Sequence, residues 1–132
     1  MRRNKNETNN PLTIHPPVGP YVHQVINTGV GLKWLTLSGQ IGMTKEKSIP
    51  ELASEQLKLA FKNIQSNLNM AEMRVKDLVK VTIYLVDDIP LEERSTIIND
   101  FLQGEETAMT LLYVKGLANP KLKVEIDVIA CR

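Results

Sequence analysis

Two helical stripes among strand-like segments constrain the fold of this 132-residue sequence more than any other feature. The first stripe runs from Ala53 to Leu68, and its apolar residues recur at the spacing of one face of an α-helix. The second covers residues 91–102, and Gly104 follows where a glycine commonly ends a helix. Two helices can cover only one face of a five-stranded sheet, so the order β-β-α-β-α-β-β predicts an α+β fold. The predicted strands, rich in β-branched and aromatic residues, are residues 21–27, 33–38, 79–86, 108–115 and 122–131.

Local signals predict how these elements begin and connect. Gly29 and Gly31 lie between the first two strands, which we expect to form a hairpin with a loose loop. Ser48 and Glu51 have the spacing of a capping box ahead of the first helix. For the second helix, Asp88 is the predicted N-cap, with a proline two residues later at an early helical position.

The sheet face opposite the helices predicts self-association. Residues 79–86 are apolar at both odd and even positions, which is typical of a strand covered on both faces. A partly apolar second face needs a partner, and a closed ring of like chains supplies one. Ligand sites are then expected at strand ends and in clefts between subunits. The apolar residues assigned to this face are Trp34, Tyr84, Met109, Leu111 and Tyr113.

Composition and charge argue against several classes of function and predict how the chain is organised. We expect residues 1–10, which are polar, to be disordered and residues 11–132 to form a single domain. A net charge of +1 provides no field for holding a nucleic-acid backbone, and no apolar run is long enough to span a membrane. A lone cysteine, Cys131, favours a reducing compartment, which predicts a cytoplasmic location. The two histidines, one cysteine and scattered carboxylates show no metal-ligand spacing.

A few polar residues are candidates for chemistry. Ser38, Gly39 and Gln40 end a strand, and a glycine there lets the backbone approach a ligand closely, although a plain turn has the same pattern. Glu125 lies among apolar neighbours on the last strand, where a carboxylate pairs with a cation or serves a site. Lys123 and Asp127 on the same side make an ordinary solvent-exposed face an equal alternative.

Four segments in order resemble the RidA/YjgF family: residues 19–22 (GPYV), 37–41 (LSGQI), 79–85 (VKVTIYL) and 123–130 (KVEIDVIA). The resemblance extends from about residue 16 to residue 132. It implies a chorismate-mutase-like fold with a mixed sheet, assembled as a homotrimer around a central barrel. It also implies that small molecules bind in the clefts between subunits. The implied activity is hydrolysis of reactive imines and enamines to a carbonyl compound and ammonia, with no metal or organic cofactor.

The same resemblance assigns roles to individual residues. Tyr21 matches the family's pocket-lining tyrosine, and the turn that borders the pocket corresponds to Ser38, Gly39 and Gln40. Glu125 matches the acidic residue that helps to position the attacking water. Imine hydrolysis needs a water held against an electrophilic carbon and a group that manages its proton, and one carboxylate can do both.

The fourth predicted strand departs from the family. Residues 106–110 read ETAMT, so Met109 stands where active deaminases have an arginine that binds the substrate carboxylate, with Thr110 beside it in the pocket. Losing such a charge-assisted pair costs about 1.5–3 kcal/mol. Ser95 stands nearest to a family asparagine. One hypothesis is a hydrolase with an altered substrate range, in which Lys115 or Arg94 replaces the anchor.

A second hypothesis is a catalytically silent trimer of the same family that binds a small molecule or a partner. The family is also labelled endoribonuclease, which the net charge of +1 and the presence of only two histidines disfavour.

Overall fold

A mixed sheet with two helices on one face forms the centre of the molecule. The computed structural model describes residues 6–132. Strands β1 (Glu7–Asn9), β2 (Gln24–Ile26), β3 (Trp34–Thr36) and β4 (Gln40–Ile41) precede helix α1 (Ala53–Met70). A 3₁₀ turn (Val75–Asp77), strand β5 (Leu78–Leu85), helix α2 (Leu91–Leu102) and strands β6 (Ala108–Tyr113) and β7 (Val124–Cys131) follow.

The long strand β7 organises the sheet. It pairs antiparallel with β5 on one side and with the short strands β3 and β4 on the other. The outer strand β6 pairs parallel with β5, which requires the crossover that α2 provides. Strands β1 and β2 form a separate two-stranded sheet. The predicted α+β fold is therefore confirmed.

Buried and partly exposed side chains alternate along β5 and β7, so the sheet has one buried face and one open face. Ile83 and Ile126 are opposite each other in the register of β5 and β7, and both are fully buried. Leu57 and Ile64 of α1 and Ile98 of α2 join them in one core. The predicted helical stripes thus face the sheet, and the core lies between the sheet and the two helices.

The predicted hairpin between the first two strands is wrong. Strand β2 pairs with β1, whereas β3 pairs with the C-terminal part of β7. Gly29 and Gly31 do adopt positive φ angles, of 144° and 73°, so the chain turns where the glycines predict. The two strands that flank this turn nevertheless pair with other strands and not with each other. Leu35 aligns with Ala130 and packs against the core, so the pairing that buries an apolar side chain prevails over the local turn.

Both predicted helix caps are also wrong. The N-cap of α1 is Leu52, which makes no side-chain cap. Ser48 instead donates its backbone N–H to the Thr44 hydroxyl at 3.0 Å and so closes the preceding loop. In α2 the N-cap is Pro90, and Asp88 turns away to bind a tyrosine hydroxyl. In each case another contact, within the preceding loop for Ser48 and with β6 for Asp88, takes the residue that the local spacing assigned to the helix.

Three of the five residues predicted for the open face of the sheet lie on the face that packs against the helices. Met109 and Leu111 align with the buried Val81 and Ile83 and pack against the core, so their assignment to the open face is wrong. Tyr113 shares their parity, because β6 alternates in step with β5.

Trp34 and Tyr84 do lie on the face away from the helices, on the parity of Ile129 and Glu125. In the single chain Tyr84 is only partly buried, so the expected covering of both faces of β5 is not seen within one chain.

The polar N-terminal segment is partly ordered. Glu7–Asn9 pair with Gln24–Ile26, and the Thr8 hydroxyl donates to the Glu106 carboxylate at 2.9 Å. The expectation of disorder therefore does not apply to these three residues. The part of that expectation that concerns residues 1–5 lies outside the described residues.

Candidate active site

A cavity of about 510 Å³ lies where the sheet edge, α2 and the segment before β2 meet. Three of the residues predicted to bind substrate line it together: Tyr21, Met109 and Thr110. Arg94 and Ser95 of α2 also line it. A volume in this range suits a small metabolite.

The Tyr21 wall is built by an extended, proline-rich segment docked on β6. The backbone N–H of Val22 donates to the Thr107 carbonyl at 3.0 Å, and Val22 forms an isolated parallel bridge with Ala108. The Tyr21 hydroxyl accepts a hydrogen bond from the Val18 N–H at 3.2 Å. These contacts hold the tyrosine beside the edge of β6, where it lines the cavity.

A polar group on α2 faces the same cavity. The Arg94 side chain is only 18% exposed, and its Nη1 donates to the Tyr113 hydroxyl at 3.1 Å. The Tyr113 hydroxyl in turn donates to the Asp88 carboxylate, which lies 3.9 Å from Arg94 Nη1. That hydrogen bond to Asp88 is the main reason that the pKa of Tyr113 is raised above its usual value, and Arg94 opposes the shift.

The other predicted residues form a second cluster around Glu125. A Cβ built on Gly39 would lie 2.2 Å from Glu125 Oε2, so the carboxylate rests directly on the glycine backbone. The Gln40 side chain donates to the Ser38 carbonyl at 2.9 Å and stiffens the turn. Asn67 of α1 donates to Gln40 Oε1 at 3.0 Å. The turn is therefore held from the helix layer while its glycine receives the carboxylate.

The surroundings of Glu125 differ from an ordinary charged surface. Glu125 is half-buried, and among residues 6–132 it forms no ion pair. Lys123, which precedes β7 and has the same parity as Glu125, pairs instead with Asp87 at 3.2 Å. Across the sheet, Tyr84 donates to Asp127 at 3.0 Å, and this bond chiefly raises the pKa of Tyr84. Glu125 is thus free to accept a hydrogen bond from a ligand or water.

One chain does not bring the two clusters together. Glu125 on β7 aligns with Tyr84 on β5, which aligns with Leu112 on β6. Two strand spacings, about 10 Å, therefore separate its backbone from the edge strand. Neither Glu125 nor the turn at Gly39 lines the cavity that contains Met109. Within one chain the two clusters are therefore separate.

Sequence reasoning missed the residues that orient these groups. The contact of Asp88 with Tyr113 joins residues 25 positions apart, and that of Asn67 with Gln40 joins residues 27 apart. The one available signal was Arg94 itself, a charge within an otherwise apolar helical stripe.

Two kinds of site are absent from the part of the chain that the structure describes. Residues 6–132 contain no group of three or more His, Cys, Asp or Glu side chains that could hold a metal ion. No helix within those residues has the length and apolar character needed to cross a membrane.

Comparison with known proteins gives matches over nearly the whole chain. The family described as Endoribonuclease L-PSP matches residues 13–132. A RutC family protein of Aquifex aeolicus is 34% identical over 119 residues, which cover 88% of this chain and 91% of the relative. A RutC family protein of Buchnera aphidicola is 28% identical over 121 residues, which cover 86% and 88%.

Solved structures have the same fold. The Rid family protein YyfB from Yersinia pestis aligns with a TM-score of 0.86 at 24% identity, over 97% of this chain and 99% of its own. RidA from an Antarctic Psychrobacter species aligns with a TM-score of 0.69 at 25% identity, over 87% and 91%. The sheet and helix arrangement described above is therefore a recurrent one.

Proposed function

Because the chain belongs to the RidA/YjgF family, we propose that it hydrolyses reactive imines or enamines to a carbonyl compound and ammonia. The observation that carries this proposal is the position of Glu125. Its carboxylate is half-buried, rests on the Gly39 backbone and forms no ion pair within residues 6–132. A carboxylate held in this way can orient a water molecule and accept its proton.

The proposed chemistry needs no group beyond the chain and water. Water attacks the carbon of the protonated imine while one of its protons passes to Glu125, which gives a neutral carbinolamine. The protonated carboxyl then returns that proton to nitrogen. As the C–N bond breaks and ammonia leaves, the carbinolamine hydroxyl gives its proton to the Glu125 carboxylate and the carbonyl forms; Glu125 then passes this proton to the departing ammonia. An enamine enters the same sequence after a proton from water adds to its carbon and gives the protonated imine.

The substrate is proposed to sit in the cavity beside Tyr21, between two chains of a homotrimer. Glu125 and the cavity lie on different parts of one sheet, so a second copy has to supply one of them. Apolar side chains on the sheet surface favour such an assembly: Trp34 is 55% exposed, Leu112 43% and Ile129 37%.

Met109 alters the proposed substrate range. It places an apolar thioether where active deaminases of this family have a carboxylate-binding arginine, so β6 provides no charged donor. A neutral imine, or one anchored from another wall of the cavity, then fits better than a substrate that needs a cation on β6.

Imine hydrolysis tests the proposal directly. 2-Iminobutanoate is generated in situ with an L-amino acid oxidase, and semicarbazide competes for the imine. The protein is expected to lower semicarbazone formation, and Glu125→Gln is expected to abolish that effect while the trimer persists in sedimentation. The exposed Glu51→Gln is the matched control and is expected to retain wild-type activity. A stable monomer, or full activity in Glu125→Gln, would contradict the proposal.

A second candidate is a catalytically silent, ligand-binding trimer. It is favoured by Met109, which stands in place of the charged donor that active members of the family have on this strand. Ligand binding without any acceleration of imine decay would select this candidate. RNA cleavage is less favoured, since a net charge of +1 offers little attraction for a phosphate backbone.

A further inference from the structure

The cavity beside Tyr21 contains a guanidinium that the proposed hydrolysis does not use. Arg94 lies at the end of the first turn of α2, lines the cavity together with Met109, and has a mostly buried side chain. A guanidinium has five N–H donors, and within residues 6–132 the structure gives this side chain one hydrogen bond, to Tyr113. Most of its donors are thus available on a cavity wall.

The charge of Arg94 is also incompletely balanced by the protein. Asp88 lies 3.9 Å away, at the outer limit of an ion pair, and its side chain is 75% exposed. The shorter contact of Asp88 is with the Tyr113 hydroxyl. A largely buried cation with a distant, solvated partner is unfavourable unless an anion completes its coordination.

The remaining walls restrict what that anion can belong to. Met109, Ile98 and Leu111 are apolar, whereas Thr110 and Ser95 supply single hydroxyl groups. A cavity of about 510 Å³ with one cation and an apolar wall suits a small aliphatic acid better than a polyanion.

We propose that Arg94 is the anion-binding residue of this cavity, and that the ligand is a small 2-imino or 2-oxo acid whose carboxylate binds Arg94. This proposal rests on the proposed function for the identity of the acid. The aliphatic part of the ligand lies against Met109 and Ile98, so the anchor sits on α2 rather than on β6. The hydroxyl of Tyr113 accepts one N–H of Arg94 and makes Tyr113 a positioning residue for the remaining donors.

Equilibrium binding of 2-oxobutanoate, measured by calorimetry with the full chain, tests the proposal without requiring turnover. Arg94→Gln is expected to weaken binding roughly 10- to 100-fold, as expected for loss of a charge-assisted pair. Lys115→Gln removes the other cation considered from sequence, which is exposed and outside the cavity, and is expected to change affinity less than about twofold.

Two further probes separate the sources of binding. 2-Butanone keeps the carbonyl and the aliphatic chain but lacks the carboxylate, and its weak binding should be the same in wild type and Arg94→Gln. Inorganic phosphate should not displace 2-oxobutanoate. Displacement by phosphate at similar concentration would overturn the assignment to a small organic acid.

Arg94→Lys is a second variant that tests the proposal if Arg94→Gln fails to fold. It keeps the charge but loses the planar fork of donors, so an affinity between those of wild type and Arg94→Gln is expected. Unchanged affinity in folded Arg94→Gln, or no binding to the wild type, would overturn the proposal.

Failure of the proposed function gives a different result. In that case 2-oxobutanoate still binds in an Arg94-dependent manner, but imine decay is not accelerated. Conversely, hydrolysis with a KM that is the same in wild type and Arg94→Gln would leave the proposed function standing and remove Arg94 from it.

Discussion

Replacing Gly39 by alanine should displace the carboxylate of Glu125 without changing any charge. The φ angle of Gly39 lies outside the left-handed region, so its backbone accepts an alanine. The new Cβ would nevertheless lie 2.2 Å from Oε2, 2.6 Å from Cδ and 2.9 Å from Cγ of Glu125. Such atoms pack best at about 3.5 Å. The carboxylate therefore has to withdraw by roughly 1 Å.

A shift of that size is large for catalysis and modest for folding. Misplacing a reacting group by about 1 Å can cost about 100-fold in rate, which corresponds to about 2.7 kcal/mol in the activation barrier. The clash involves mostly the mobile end of a side chain, so the loss in unfolding free energy should stay near the lower end of the roughly 1–3 kcal/mol typical of overpacking.

Two other glycines serve as matched controls. A Cβ on Gly116 meets no atom within 4 Å, so Gly116→Ala should match wild type in both imine hydrolysis and melting temperature. A Cβ on Gly42 would lie 2.6 Å from backbone atoms of Gln56, so Gly42→Ala should lower the melting temperature most. If Gly39→Ala hydrolyses 2-iminobutanoate at the wild-type rate, Glu125 does not act from the position described here.

Three further outcomes follow from other contacts. Gln56 is fully buried and bonds three backbone groups, so Gln56→Ala should lower the unfolding free energy by roughly 3 kcal/mol or more in urea titrations. The raised pKa of Tyr113 means that its contact with Asp88 stabilises the fold fully below the ordinary value of 10.0 and is lost as pH rises through the raised value. Asp88→Asn should therefore move the Tyr113 absorbance titration at alkaline pH downward, and an unmoved curve would remove Asp88 as the cause. Met109→Arg, introduced into the Arg94→Gln variant, returns a guanidinium to the same cavity and should raise the affinity for 2-oxobutanoate about 10-fold. If the affinity stays as low as in Arg94→Gln alone, Met109 does not face the bound carboxylate.

Long-range order explains which parts of the fold were predictable. The helical stripe from Ala53 and the alternation in β7 depend on residues a few positions apart, so the sequence pattern was sufficient for both. The partner of β3 was not predictable in this way, because its pairing with residues about 95 positions later is decided by burial of Leu35 beside Ala130. The capping prediction for α1 failed for a local reason, since Ser48 closes a loop with Thr44, four residues earlier, and the helix begins only at Ala53.

The site was predictable to a similar extent. Resemblance to a family assigned Tyr21, Met109 and Glu125, and the structure places the first two on one cavity. The resemblance gave no sign that Glu125 lies two strands away from β6 and its cavity within one chain. The distance between strands across a sheet depends on strand order, which sequence motifs do not give. The orientation of Arg94 by Tyr113 arises from contacts between α2 and β6, which local periodicity does not encode.

The separation of Glu125 from the Arg94 cavity within one chain makes a strong prediction about mixed assemblies. Glu125→Gln lacks the proposed proton acceptor, and Arg94→Gln is at least about 10-fold slower at substrate concentrations well below its raised KM. If Glu125 of one chain completes the Arg94 cavity of the next, the two variants nevertheless carry complementary intact parts of the site. After denaturation and refolding of an equal mixture, random assembly places an intact Glu125 opposite an intact Arg94 in about one quarter of the sites of a closed ring. Imine hydrolysis should then recover to about one quarter of the wild-type rate per chain, as expected for sites that act independently. Sites contained within single chains would recover nothing, so an inactive mixture of well-folded trimers would refute the shared site.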